Sequence, residues 1–169
     1  MSTWTHVSGL LSCDVFQFTK KDVQPHEILE KIVGHYKHSY WYDPKNAWES
    51  AIDKDESYGK GEIETPSGSE GPLQFKCFTH STKSSCHNGM IVFWGDLRDY
   101  EYEDVEEELI PWFQNLVNRL HEGHVSIREG SIVIDAEGVP FKTILSSDYD
   151  GDKSILQATR IKKEYYDGT

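Results

Sequence analysis

The chain has 169 residues, of which 37% are hydrophobic and 27% are charged, and its formal net charge is −12. This composition is too apolar for a disordered chain and too polar for a membrane protein, and the length suits a single domain, 1–169. An acidic chain repels phosphates, so direct binding of nucleic acid is not expected. The N-terminus lacks the features of a secretory signal, and no apolar run reaches the roughly 20 residues that span a bilayer.

The chain contains three cysteines, Cys13, Cys77 and Cys86. Because an odd number does not suit a framework of disulfides, we expect a reducing compartment and therefore a cytoplasmic protein. Together with His80 and His87, two of these cysteines supply residue types that bind zinc, but their spacing matches no common zinc module. The sequence predicts no metal and no cofactor.

The first predicted elements are a strand and a helix. Apolar residues over 4–18 predict the strand, in which Gly9 marks a bulge or a close approach of backbones. A proline followed by apolar residues at helical spacing predicts a helix over 25–37. Residues 38–71 show no regular pattern, and we interpret them as an irregular insertion within the domain.

Two strands are predicted in the centre of the chain. Residues 73–79 alternate, with the following three on one face: Leu73, Phe75 and Cys77. The other face carries Gln74, Lys76 and Phe78. The run Met90–Trp94 is short, β-branched and aromatic and is bounded by glycines, so it predicts a central strand that pairs with 73–79.

A helix is predicted to follow the central strand. Asp104 and Glu107 have the spacing of a capping box, but a helix that began there would contain Pro111, which removes a backbone hydrogen bond. We therefore predict that Pro111 lies in the first turn of a helix ending at about residue 121, and that 104–109 form a separate turn.

The remaining pattern predicts strands over 124–134, 140–145 and 153–166, with a polar loop over 146–152. The predicted order contains a βαββαβ core. This order is typical of the ferredoxin-like split βαβ arrangement, an α+β fold in which an antiparallel sheet carries two helices on one face. We therefore predict that fold with 38–71 as an irregular insertion.

Carboxylates are crowded after the central strand. The predicted binding residues are Asp96, Asp99, Glu101, Glu103, Asp104, Glu106 and Glu107. Three interpretations remain open: a hard-cation site, a surface that mimics phosphates and occupies a partner's basic groove, and a solvated loop before a helix. The spacing is not that of an EF-hand. The leading hypothesis is a non-enzymatic module that binds a basic protein through this surface.

A second candidate site is the loop over 66–71. Its small residues present backbone N–H groups that can form an anion nest, with these members: Ser67, Gly68, Ser69 and Gly71. The loop lacks the Gly-Lys-Ser/Thr of a P-loop. The corresponding hypothesis is a protein that sequesters nucleotides without turning them over.

A third candidate is a pair of histidines, each followed two residues later by a hydroxyl. The predicted catalytic residues of this hypothesis are His80, Thr82, His124 and Ser126, with His6 as an alternative partner of His80. Such pairs resemble those of the 2H phosphoesterases, in which two strand-borne histidines serve as acid and base. The resemblance implies action on a cyclic or 2′-5′ phosphodiester.

Three short stretches resemble a set of small uncharacterised bacteriophage proteins. They are Trp4-x-His6-Val7, Pro66–Gly71 and Gly95–Tyr100. The resemblance brings no catalytic residues with it. It implies an intracellular phage protein, in the cytoplasm of the host cell, that binds and inhibits a host or defence protein.

Overall fold

The computed structural model describes residues 2–16, 24–34, 65–80 and 86–164. Strands make up 57% of these residues. They are β1 (Trp4–Phe16), β2 (Ser67–Gly68), β3 (Gly71–Pro72), β4 (Gln74–His80), β5 (Cys86–Arg98), β6 (Val125–Ala136), β7 (Phe141–Asp150) and β8 (Lys153–Lys162). Six of them form one antiparallel sheet in the order β4-β5-β1-β6-β7-β8, and β2 and β3 form a small separate hairpin. The N-terminal strand β1 therefore lies inside the sheet.

The described helices are short. They are α1 (Pro25–Gly34), α2 (Tyr102–Asp104) and α3 (Ile110–Glu122), and a π-helical turn (Val105–Leu109) joins α2 to α3. α1 packs against β4 and β5, and α3 packs against β6, β8 and α1. Within the described residues, no helix has the length and apolar character needed to cross a membrane.

The sheet has a covered face and an open face. On β1, Val7, Leu11 and Val15 point towards the helices and are buried, whereas Ser8 and Leu10 lie on the opposite face and are exposed. The same alternation runs through the other strands because successive side chains of a strand point to opposite sides. The hydrophobic core therefore lies between one face of the sheet and the helices α1 and α3.

The prediction of a ferredoxin-like fold is wrong. The structure is a large six-stranded sheet with two short helices, and it is richer in strand than that arrangement. The predicted polar loop 146–152 is in fact the end of β7 and the turn that follows it. Its polar residues misled the interpretation, because the end of β7 is largely exposed and needs no apolar alternation.

Several local predictions agree with the structure. The two faces of β4 are as predicted, with Leu73 and Cys77 buried and Lys76 and Phe78 exposed. The predicted helix over 25–37 is present up to Gly34, and its remaining residues lie outside the described residues. Of the predicted insertion over 38–71, only residues 65–71 are described, and they include β2 and the start of β3.

The helix around Pro111 is continuous with the segment before it. The prediction that Pro111 lies in the first turn of an α-helix is confirmed, but the prediction of a separate turn over 104–109 is wrong. A proline inside an α-helix lacks the N–H for the carbonyl four residues earlier. The π-helical turn, closed by the Ile110 N–H bonding the Val105 carbonyl, shifts the hydrogen-bond register just before the proline.

Candidate acidic surface

The structure divides the predicted acidic surface into separate parts. Asp96 lies on the open face, where its carboxylate is 2.6 Å from Nδ1 of His6 on the neighbouring strand. Asp99 follows β5 in the left-handed region, with φ of 54°, and its carboxylate accepts a hydrogen bond of 2.7 Å from the hydroxyl of Ser69. Neither residue belongs to the helical segment that carries the other carboxylates.

The remaining carboxylates form a ridge on the helical segment before Pro111. We define the acidic ridge by its exposed members, Glu101, Glu103, Glu106, Glu107 and Glu108. Glu108 was not among the predicted binding residues. Asp104 is less exposed and is a helix-capping residue, since its carboxylate accepts a hydrogen bond of 2.8 Å from the N–H of Glu101. The capping box of this segment is thus formed by Glu101 and Asp104, and not by Asp104 and Glu107, which have the same spacing.

The members of the acidic ridge differ in their partners. Glu106 accepts hydrogen bonds from the hydroxyl of Tyr102 and, at 3.0 Å, from the guanidinium of Arg160. Glu108 accepts a hydrogen bond of 2.9 Å from the hydroxyl of Tyr100. Burial, followed by this bond to a carboxylate, raises the pKa of Tyr100 well above its ordinary value. These contacts attach the ridge to β8 and to the end of β5.

Glu103 and Glu107 have no ion-pair or hydrogen-bond partner among the described residues. Both side chains are exposed, on the same helical segment. Residues four apart in a helix are neighbours on its surface, so these carboxylates reinforce one another's negative potential. They are the members of the ridge that can accept an external cation without breaking an internal contact.

In the loop over 66–71, one predicted member of the anion nest already uses its donors within the chain. The N–H of Ser69 donates to the carbonyl of Arg98 at 2.9 Å, and its hydroxyl donates to Asp99, so these donors are occupied. The Glu70 carboxylate accepts a hydrogen bond from Arg98, which also lies near Asp99. Gly68 serves close packing, because a Cβ there would lie 2.6 Å from the backbone nitrogen of Arg98. The predicted members Ser67 and Gly71 belong to the same hairpin.

The register of the sheet keeps His80 and His124 apart. His80 pairs with Asn88, Asn88 with Asp14, and Asp14 with Ser126, so His80 and Ser126 lie three strands apart. At the usual strand spacing this is about 14 Å. His124 lies two residues before Ser126, in the turn that precedes β6. The described geometry thus provides no shared acid–base site for this pair.

The alternative pair, His6 and His80, is also separated. His6 pairs with Asp96 and His80 pairs with Asn88, at opposite ends of β5. The rise of a strand places these two positions about 27 Å apart. Thr82, the hydroxyl residue of the His80 motif, lies outside the described residues.

The cysteines and histidines of the zinc-like grouping do not converge either. Cys77 and His87 are buried, whereas His80 is exposed on the open face. Cys86 is also on the open face, where its sulfur lies 3.8 Å from a carboxylate oxygen of Asp14. Among the described residues no group of three or more His, Cys, Asp or Glu is placed to hold a metal ion.

The open face carries polar contacts that the sequence analysis missed. Arg128 donates hydrogen bonds to Asp14 and to Asn88 on two other strands. Asp135 lies 2.7 Å from the ammonium of Lys142 and 2.6 Å from that of Lys163. Arg128 is 114 positions from Asp14 and 40 from Asn88, so no local pattern could reveal these contacts.

The open face also carries large apolar side chains. The exposed members are Leu10, Phe78, Met90, Trp94 and, on β8, Ile161. A signal for this was present in the sequence, because the run Met90–Trp94 is apolar at every position. Such a run indicates that both faces of a strand are apolar, and only one of them is covered by α1 and α3.

The contacts of Asp135 make stability depend on pH in a defined direction. Burial acts to raise the pKa of Asp135, but the hydrogen bonds and charges of Lys142 and Lys163 outweigh it and hold the pKa below its ordinary value of 3.8. The stabilisation is therefore complete above the pKa of the unfolded chain and is lost as the pH falls through the lower pKa of the folded state.

We expect Asp135→Asn to lower the free energy of unfolding by about 1 kcal/mol near neutral pH, and the difference from wild type to shrink below about pH 4. Urea denaturation across this pH range measures it. Asp152→Asn, which changes an exposed turn residue, is the matched control and should leave stability unchanged at every pH. A deficit of Asp135→Asn that stays constant down to acid pH would contradict this account.

Comparison of the chain with protein-family models, with curated proteins and with solved structures gives no match.

Proposed function

We propose that the chain is a non-enzymatic protein-binding module whose acidic ridge occupies a basic groove on its partner. The observation that carries this proposal is the pair Glu103 and Glu107, which are exposed and have no partner among the described residues. Three further carboxylates flank them on the same ridge. Such a surface attracts a basic partner and speeds its association.

The ridge is held rigidly, which favours binding. Val105 and Leu109, on the buried side of the π-helical turn, are 0% exposed. The contacts of Glu106 and Glu108 fix the same segment from its outer side. A segment that is ordered before it binds loses little conformational entropy in the complex, so more of the electrostatic attraction appears as affinity.

The acidic ridge is narrower than the surface predicted from the sequence. Asp96 and Asp99 lie outside it, and Asp104 is engaged by the backbone of its own helix. The net charge of −12 still provides long-range attraction to a basic protein. We assign the short-range contacts with the partner to the acidic ridge. The remaining negative charge contributes the long-range attraction that steers the partner towards it.

The compartment and the class of partner form the more specific part of the proposal. We place the protein in a cytoplasm, because its three cysteines are free and burial raises the pKa of the Cys13 thiol to about 12, which makes it unreactive. The resemblance to small bacteriophage proteins favours a basic host or defence protein as the partner. Occupation of its basic groove would inhibit it.

The test neutralises the unpaired carboxylates. Tagged wild-type protein is used to capture its partner from a bacterial lysate, and the association rate of the purified pair is then measured at low and at high salt. We expect the double variant Glu103→Gln, Glu107→Gln to associate roughly tenfold more slowly at low salt, with the difference shrinking at high salt.

The double variant Asp150→Asn, Asp152→Asn is the matched control, because it removes two negative charges from the exposed β7–β8 turn. Its association rate should stay within a factor of about two of wild type. Equal slowing by both double variants would show that only net charge matters. Unchanged association of the ridge variant, with a partner in hand, would overturn the proposal.

A further inference from the structure

The open face of the sheet carries a continuous apolar patch. We define the patch as Leu10, Phe78, Met90, Val92 and Trp94, on the adjacent strands β1, β4 and β5. Phe78 and Met90 are direct cross-strand partners, as are Leu10 and Val92. Trp94 is 45% exposed and Phe78 is 44% exposed, although aromatic side chains of this size are usually much more buried. A patch of this kind marks an interaction surface.

The other half of the open face is flatter. Ser131 on β6 and Ser146 on β7 are direct cross-strand partners and carry small side chains. Beside them Val133 and Ile144, also a cross-strand pair, are only half-buried. The exposed aromatic side chains of this face therefore lie on β4 and β5, and small or aliphatic side chains occupy the middle of β6 and β7. When two copies pack through their open faces, a two-fold rotation places the half with the large side chains in one copy over the flat half of the other.

The charges of the open face follow the same division. Most of them are paired within the face, as in the contacts of Asp14 with Arg128 and of Asp135 with Lys142. Lys76, on the bulky half, has no carboxylate partner among the described residues and lies over the ring of Phe78. Asp148, on the flat half, accepts a hydrogen bond from the N–H of Tyr149 and from no other residue that the structure describes.

Glu129, also on the flat half, has no partner among the described residues. Asp150 and Lys153 also lie on the flat half and have no partner among the described residues, so the unpaired charge of that half is mainly negative, whereas Lys76 on the bulky half is positive. The register places Lys76 at the level of Ser146, two residues from Asp148, so the rotation that places bulk over the flat half brings Lys76 of each copy to the half of the other that carries Asp148.

From this shape and charge we infer that the open face is the interface of a symmetric homodimer, in which two sheets pack face to face. Six strands at the usual spacing, paired over about nine residues, give a face of roughly 24 Å by 30 Å, on the order of 700 Å² for each copy. A stable interface needs about 800 Å² from each partner, so the area is of the right size. Phosphate-rich partners such as nucleic acid or anionic lipid are opposed by the net charge of −12.

This interface goes beyond the proposed partner contact and is separate from it. The acidic ridge belongs to the helical side, since Val105 and Leu109 pack into the core beneath the covered face. A dimer joined through the open faces therefore displays two acidic ridges on its outer surfaces. The two proposals can fail independently.

Sedimentation equilibrium of the full chain tests the inference. We expect the wild type to have twice the mass of the chain at micromolar concentrations. Trp94→Asp places a charge within the patch and should raise the dimer dissociation constant at least a hundredfold. Asn115→Asp, which adds the same charge at an exposed position of α3, should leave the dissociation constant unchanged.

A charge exchange gives a second test that does not depend on Trp94. Lys76→Glu and Asp148→Lys should each weaken the dimer roughly tenfold, because each places like charges together across the interface. The double variant Lys76→Glu, Asp148→Lys should restore the wild-type dissociation constant. Far-ultraviolet circular dichroism confirms that each variant is folded.

Three results would overturn the inference. The first is a wild type that remains monomeric at all concentrations, which would leave the face to a different protein or to no partner. The second is a dimer that persists in folded Trp94→Asp, because the interface would then lie elsewhere. The third is failure of the double charge exchange to restore what each single change removes.

Discussion

Replacing Gly9 by alanine is expected to lower the free energy of unfolding by about 3 kcal/mol. Gly9 lies in β1, between β5 and β6. A Cβ at this position would lie 2.4 Å from the carbonyl oxygen of Ser131 and 2.6 Å from the Cα of Ile132. Both atoms belong to the backbone of β6, so no side-chain rotation relieves the contact and the two strands must move apart. The midpoint of urea denaturation measures the effect.

Gly95→Ala is the matched control, because Gly95 is also in a strand inside the sheet but its added Cβ would meet its nearest atoms at 3.4 Å, an ordinary contact. Alanine there restricts the unfolded chain more than glycine does, so stability should be unchanged or higher by up to about 1 kcal/mol. If Gly9→Ala unfolded at the same urea concentration as Gly95→Ala, the close approach of β1 and β6 would be wrong.

Replacing Phe113 by alanine is expected to cost about 4 kcal/mol and to lower Tm by about 10 °C. Phe113 is 0% exposed, and its ring contacts the rings of Phe93 and Trp112 edge to face, with centroids 5.2 Å and 5.0 Å away. It therefore joins α3 to the middle of β5. Truncation leaves a cavity that the surrounding backbone elements cannot fill. Differential scanning calorimetry measures the change.

Gln114→Ala is the control for this variant, since Gln114 is the next residue of α3 and its side chain is exposed. Its stability should remain within about 0.5 kcal/mol of wild type. A Tm of Phe113→Ala close to that of Gln114→Ala would mean that α3 does not seal the core as described.

The sequence predicted the presence of individual strands better than their boundaries. The alternation of Leu73, Phe75 and Cys77 identified β4 because one face of that strand is buried. β5 was predicted only as Met90–Trp94, although it spans Cys86–Arg98. Its flanking glycines were interpreted as boundaries, but pairing with neighbours on both sides overrides local propensity in a strand inside a sheet. The same effect hid the end of β7, which was predicted to stop at residue 145 but continues to Asp150.

The sequence predicted that the candidate site is negatively charged, but not which carboxylates belong to it. Crowded carboxylates are visible in the sequence, but the partner of Glu106 is Arg160, 54 positions further along the chain. Asp96 is paired with His6 from the other end of the chain. The register of the sheet decides which carboxylates already have a partner within the chain. Local patterns in a single sequence do not reveal that register.

The position of β1 inside the sheet sets the order of events during synthesis. Of the strands in the six-stranded sheet, β1 is translated first, yet its partners are distant, in pairs such as Trp4 with Arg98 and Thr5 with Ala136. The sheet therefore cannot close around β1 until β6 has been translated, and such long-range closure is slow. Meanwhile the two-sided apolar run of β5 stays unprotected, so we expect the newborn chain to depend on chaperones until Ala136 has been translated.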